Sequence, residues 1–213
     1  MTLSKLAGAS TLRQAIPLWI NGRQRVTTNP FTVHSAITEK TIYQCSSASS
    51  TDADDALAAA SAAFPAWATT KPSFRRDILL RSADLFDKRR DELEDTIREE
   101  IGTDAGFARF NTASAAEMLR DAAGRLSQSL MWQIPHPREN GQNALLYKVS
   151  YGVVLRIAPL ERSVPPRRSA TLYPIAAGNS CILKGAEMSP RCFHHIGEIF
   201  HEAGLPPGVL NVL

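Results

Sequence analysis

Apolar and polar positions along the chain change their period twice, and each change marks a different kind of element. Near the amino end, Leu18, Trp19 and Ile20 precede Asn21-Gly22, and Arg23 to Val26 follow. Asn-Gly supplies the positive φ that a tight hairpin requires, so two short strands are predicted around it. Thr41 to Cys45 reads as a further strand. A serine-rich link then leads to Thr51, which is placed to cap an Ala-rich helix with an acidic first turn and an end near Trp67. Ser73 is placed to cap the next helix, in which Ile78, Leu79, Ser82 or Ala83, Leu85 and Phe86 recur at helical spacing. Leu93, Ile97 and Ile101 continue the pattern after a break near Asp87, and Gly102 is placed to stop it. Thr112 opens a third segment, with Ala115, Met118, Leu119, Ala122, Leu126 and Leu130 on one stripe.

The period changes again past Gln133. Pro135, Pro137, Asn140 and Gly141 break the helix, and Ala144 to Val149 is apolar enough to start a strand. Val153, Val154, Leu155, Ile157 and Ala158 then form a run without alternation, as expected of a parallel strand covered on both faces. Ser180 to Lys184 is a second such run, Ser189-Pro190 is placed to cap and start a helix ending at Ala203-Gly204, and Val209 to Leu213 is a third strand. Strand, helix and strand at this spacing form a βαβ unit. The expected fold class is therefore α/β: an incomplete doubly wound parallel sheet with flanking helices and an N-terminal β ribbon. Three regions are expected: an extension over 1–16, strands and helices over 17–150, and the start of the sheet over 151–213. Val209 to Leu213 is expected to form an unpaired apolar edge.

Composition narrows the class without naming a function. Hydrophobic residues make up 44% and charged residues 21% of the 213, the balance of an ordinary globular chain. No apolar run approaches the about 20 residues a membrane span needs. The net charge of +3 arises from 24 basic and 21 acidic residues that are well mixed, so neither nucleic acid nor membrane is an expected partner. The basic pairs at Arg75-Arg76 and within Lys88-Arg89-Arg90 are expected on solvated helix faces. Cys45, Cys181 and Cys192 lack C-x-x-C spacing, which argues against a disulfide framework or a zinc site and for reduced thiols in a cytoplasmic compartment; Cys45 and Cys181 are expected as small core residues, and Cys192 falls at a helix start with no chemical role. The acid-free start, with Lys5 and Arg13, leaves a mitochondrial address as the alternative.

Ligands of an open α/β sheet lie beyond the carboxyl ends of its strands. After Leu183 come Lys184, Gly185, Ala186 and Glu187: a cation, a residue permitting close backbone approach, and a carboxylate able to accept hydrogen bonds from two ribose hydroxyls. No G-x-G-x-x-G follows any predicted strand, which argues against an ordinary short-chain or alcohol-type dehydrogenase. His194 and His201 share a helix face, but no acid stands at ligand spacing on it, so surface histidines are expected and no metal site. Trp19, Trp67 and Trp132 are expected in the core or at an interface.

Three segments, GVVLRIAP, AAGNSCILKGAEMSP and FHEAGLPPGVLNVL, together resemble the aldehyde dehydrogenase family in its order and spacing. Upstream, PLWINGR resembles that family's opening strand, and SSTDADDALAAASAAFPAW and EEIGTDAGFARF its helices. KGAEMSP and AAEMLRDAAGRL look closest to branches acting on aromatic aldehydes such as salicylaldehyde or vanillin. The resemblance implies chemistry in which a cysteine thiolate attacks an aldehyde, an asparagine amide holds the oxyanion, hydride leaves to NAD(P), and a glutamate activates water. It also implies that Lys184 and Glu187 bind the adenosine ribose and that Ile157 and Ala158 line the cofactor. A carboxylate at Glu187 repels a 2'-phosphate, which favours NAD over NADP.

The departures from that pattern set the remaining expectations. The family places Trp-Asn after the proline that aligns with Pro159, where this chain has Leu160-Glu161. A carboxylate at Glu161 has no donor for an oxyanion, and losing one such donor costs about 2.7 to 4 kcal/mol in barrier. Pro165-Pro166 and Arg167-Arg168 replace an apolar start of a helix. None of the three cysteines aligns with the nucleophile, so no catalytic residue is assigned. A truncated relative, inactive alone, is the expectation, with a non-catalytic partner of a full-length relative, as homo- or hetero-oligomer, or a degenerate gene product as alternatives.

Overall fold

The computed structural model describes residues 15–136, 138–158 and 169–213. Most of the expected extension over 1–16 lies outside the described residues, as do Pro137 and Pro159, Leu160, Glu161, Pro165, Pro166, Arg167 and Arg168. The ribbon forms as read: β1 (Leu18–Ile20) and β2 (Arg23–Arg25) pair antiparallel. Asn21 at φ 52° and Gly22 at φ 71° make the turn, the left-handed pair that a twisted two-residue hairpin needs. A second hairpin, β3 (Pro30–His34) with β4 (Thr41–Ser46), stands as its own two-stranded sheet.

Four helices follow: α1 (Ser50–Ala68), α2 (Pro72–Lys88), α3 (Arg90–Ile101) and α4 (Ala105–Ser129). Gly102, at φ 74°, ends α3 as expected. The starts differ from the sequence reading. Ser49 rather than Thr51 caps α1, in a reciprocal box with Asp52; Pro72 opens α2 ahead of Ser73; and Asp104 caps α4 well before Thr112. Ala144 to Val149 forms no strand; only Leu146 bridges to Gln133, through hydrogen bonds of 2.8 and 3.2 Å.

The main sheet contains β5 (Val153–Ile157), β6 (Ser180–Lys184) and β7 (Leu210–Val212), with α5 (Ser169–Ala176) and α6 (Pro190–Glu202) as crossovers. Its order is β2-β1-β7-β6-β5, with β5, β6 and β7 parallel and β1 antiparallel to β7. The sheet is thus mixed. The apolar end strand is not an open edge, because Trp19 of β1 stands opposite Val212 of β7. Among the described residues the sheet ends at β2 and at β5, and on β5 Leu155 and Ile157 are 63% and 66% exposed, against the expectation of a strand covered on both faces.

Alternation along the strands divides the core. Leu18, Ile20 and Ile182 pack against Ala56 and Ala60 of α1 on one face. Trp19, Cys181, Leu183 and Val212 join α5 and α6 on the other, and α2, α3 and α4 extend that cluster.

Candidate functional site

Strand β6 delivers the candidate residues to one place. Lys184 is its last residue and lies in register with Ile157 at the end of β5. The Ala158 backbone N–H donates to the Lys184 carbonyl at 3.0 Å, so the four residues read from the sequence, Ile157, Ala158, Lys184 and Glu187, converge beyond the carboxyl ends of two adjacent strands. Ala158 is buried, while Ile157 is open to solvent. Lys184 Nζ donates to Glu187 Oε2 at 3.0 Å, with both side chains well exposed. Its own backbone N–H, and then the Lys184 ammonium, hold the Glu187 carboxyl below the usual carboxylate range, so it is an acceptor at neutral pH.

A Cβ at Gly185 would stand 2.9 Å from the ring of Phe193, so the glycine permits a close approach of the loop to α6. Its N–H donates to the Leu213 carbonyl at 2.8 Å, which ties the loop to the last strand.

A cleft of about 680 Å³ opens beside this loop, beyond the ends of β6 and β7. Its near wall is Lys184, Glu187, Phe193 and Leu213, and its far wall includes Phe31 and Ser49. The lining is mostly apolar, in the size range of small-ligand sites. Phe31 and Ser49 escaped the sequence reading because they lie more than a hundred positions away; the Ser-x-x-Asp box at Ser49 was the local signal.

The remaining chemistry-bearing residues are structural. All three cysteines are buried and outside any disulfide, and burial pushes the Cys45 and Cys181 thiols up to about 12. His194 and His195 are not surface residues: each is 6% exposed, and Glu198, the acid the sequence reading overlooked, lies 3.4 Å from His194 Nε2 and 3.0 Å from His195 Nδ1. Arg75 is also buried, donating from Nη1 to the Thr70 carbonyl at 2.9 Å, whereas Arg76 is exposed. Trp19 and Trp67 are core residues, and Trp132 is exposed. Among the described residues no group of three His, Cys, Asp or Glu side chains is arranged to hold a metal, and no helix is long and apolar enough to cross a membrane.

Parallel strands wound through α5 and α6, with an ion pair and a cleft beyond their carboxyl ends, define an α/β protein with a mixed sheet and flanking helices. The sequence pattern described as the aldehyde dehydrogenase family matches residues 19–213, and the chain belongs to that family. It is 39% identical over 200 residues to a vanillin dehydrogenase of a Pseudomonas species, covering 93% of this chain and 41% of that one. A crystal structure of salicylaldehyde dehydrogenase from Pseudomonas putida, complexed with salicylaldehyde, superposes with a TM-score of 0.88 at 29% identity, over 94% of this chain and 42% of that one. PnpE in complex with nicotinamide adenine dinucleotide gives a TM-score of 0.85 at 27% identity, over 93% and 41%. The chain therefore spans about two-fifths of the length of the relatives it matches.

Proposed function

We propose that this chain carries the adenosine-ribose part of an NAD site belonging to an aldehyde dehydrogenase that oxidises aromatic aldehydes to acids, and that it has no dehydrogenase activity alone. The observation that carries the reading is the exposed Lys184–Glu187 pair, 3.0 Å apart at the end of β6. The donor set fits one end of the cofactor. An ammonium and an ionised carboxylate, both reachable from solvent, suit a ribose diol, and Ile157 and Ala158 stand at the end of the adjacent strand, next to the Lys184 backbone. The carboxylate disfavours the extra phosphate of NADP.

When bound, NAD would accept hydride from the substrate, while aldehyde plus water gives acid and a proton. That oxidation needs an accessible thiolate, and two of the chain's thiols are buried and held in the neutral form up to about pH 12. Three cysteines outside any disulfide support a reducing, cytoplasmic setting. Relatedness to vanillin and salicylaldehyde dehydrogenases supports the aromatic substrate class.

Thermal melts of the purified chain test the cofactor. NAD at a hundred times its Kd should add about 2.7 kcal/mol of stability, with a smaller shift from NADP. Equal shifts would remove the preference, and no shift with either would remove the site. NADH formation from vanillin or salicylaldehyde by the chain alone would overturn the proposed inactivity.

A second reading, association with a second copy or with a full-length relative, is favoured by the open edge of β5. Leu155 and Ile157 lie exposed there, and Trp132, Ile134 and Tyr151 expose further apolar surface in the preceding segment. Co-purification with such a relative, weakened by Leu155→Lys, is expected; a chain that stays monomeric and partner-free would refute it.

A further inference from the structure

Helix α6 starts directly after the loop that carries Lys184 and Glu187, yet its own N-terminal serine does not cap it. Ser189 makes no side-chain hydrogen bond to the helix, and its Oγ is buried without a partner. The orphan amides are met from α3 instead. Glu100, 1% exposed, accepts the Arg191 N–H on Oε1 at 2.8 Å and the Cys192 N–H on Oε2 at 3.1 Å. Tyr43 of β4 donates its hydroxyl to Oε1. The Arg191 guanidinium lies 4.1 Å over the Tyr43 ring, with Nη1 3.8 Å from Glu99. One carboxyl thus joins α3, the second hairpin and the start of α6, and it complements the helix dipole where it does so.

We propose that Glu100 is a positioning residue for the Lys184–Glu187 loop: by clamping the start of α6 to α3 and β4, it fixes the backbone that aims both side chains. At its strand end the loop is held by the Gly185 N–H on the Leu213 carbonyl, and at its helix end by the Glu100 carboxyl. The clamp stands on this geometry; its effect on ligand affinity rests on the NAD reading above.

The groups facing the carboxyl are Tyr43 on β4, Arg191 and Cys192 on α6, and Glu99 on its own helix. Burial pushes Glu100 up to about 7 against the pull of the Cys192 thiol, the Arg191 and Cys192 amides and the Arg191 charge, so its charge changes near neutrality. This gives a signature that a merely structural side chain lacks.

The test uses the full chain and its Glu100→Gln and Tyr43→Phe variants. A glutamine offers one acceptor oxygen and an NH2 group that cannot accept, so one α6 amide loses its partner. Amide exchange over residues 185–192 should rise about tenfold in Glu100→Gln and less in Tyr43→Phe, while exchange in the middle of α2 stays unchanged. The Arg191 and Cys192 amide resonances should titrate with a midpoint near 7 in the parent chain and not in Glu100→Gln. The NAD Kd should weaken severalfold in the glutamine variant although Lys184 and Glu187 are intact. Unchanged exchange over 185–192 in both variants overturns the clamp, and raised exchange with unchanged NAD affinity overturns the positioning role. A parent chain that binds no NAD overturns the cofactor reading, and exchange still decides the clamp. Should Glu100→Gln lose its cooperative melt, Tyr43→Phe, which keeps the carboxyl, decides the clamp through the same exchange measurement.

Discussion

Asn211 accepts the Asn21 backbone N–H on its side-chain oxygen at 2.9 Å, joining positions 190 apart. Its Nδ2 donates to the Gly208 carbonyl at 2.8 Å, and the residue is fully buried. One amide therefore locks the left-handed turn of the ribbon onto the last strand of the sheet. Asn211→Ala strands both backbone groups, and each buried unsatisfied group costs about 1 to 3 kcal/mol. Asn211→Asp keeps the acceptor but sets a negative charge against the Gly208 carbonyl, so it should be no milder. Urea unfolding measures both; an alanine variant within about 0.5 kcal/mol of the parent chain would show that the link carries no stability.

Gly197 is where α6 meets Trp19, and two effects of opposite sign compete there. Replacing a helical glycine by alanine gains about 1 kcal/mol in propensity. A Cβ at Gly197, however, stands 2.8 Å from Trp19 Cγ, and that ring is buried between α6 and the sheet. Overpacking of this kind costs about 1 to 3 kcal/mol, so Gly197→Ala is expected to lower the melting temperature. In a Trp19→Leu background the same change should become neutral or stabilising. If it destabilises equally in both backgrounds, the ring is not the obstacle.

What the sequence disclosed was local. Asn21-Gly22 and Gly102 were legible because a positive φ belongs to the residue itself, and the end of β6 at Lys184 because the apolar run stops there. Helix starts were misread where two candidate caps compete: Ser49 and Thr51 sit two positions apart, and only the reciprocal bond with Asp52 selects between them. Burial of His194, His195 and Arg75 was illegible, because polar side chains on a helix show no side until their partners are known; those partners include Gln24 of the ribbon, Arg89 between α2 and α3, Thr96 of α3 and, for Arg75, Thr70 in the link before α2. The open edge was assigned to the wrong strand for a related reason. Apolarity marks both Val153 to Ile157 and Val209 to Leu213 as sheet strands, but only the pairing of β1 with β7 decides which stays uncovered.

Acid sensitivity should trace to Glu198. His194, His195 and the Arg89 guanidinium, the last at 3.0 Å, hold its carboxyl far below the ordinary carboxylate range. Between the folded value and the unfolded one of about 4.3, the unfolded chain binds more protons, so stability rises with pH across that window. The contribution is complete above the unfolded value and lost as pH falls through the folded one. Glu198→Gln should flatten the stability curve below about pH 4 and remove the carboxylate that two buried imidazoles contact. Urea unfolding at a series of pH values provides the comparison; parallel curves for variant and parent would assign the acid limb to other carboxylates.

Glu187 separates ligand recognition from stability. Its side chain is 73% exposed and bonded only to Lys184 and its own backbone, and exposed pairs contribute about 0 to 1 kcal/mol. Glu187→Gln should therefore leave the melt of the free chain almost unchanged. Its effect on ligands should be large in one respect: the amide still reaches a ribose hydroxyl but no longer repels a 2'-phosphate, so the NAD shift shrinks while the NADP shift grows. Lys184→Ala, which removes a cation without touching that carboxylate, should weaken both nucleotides and keep NAD ahead. Opposite behaviour of the two variants places selectivity on the charge of residue 187. If both variants weaken NAD and NADP in equal proportion, the pair binds without discriminating between them.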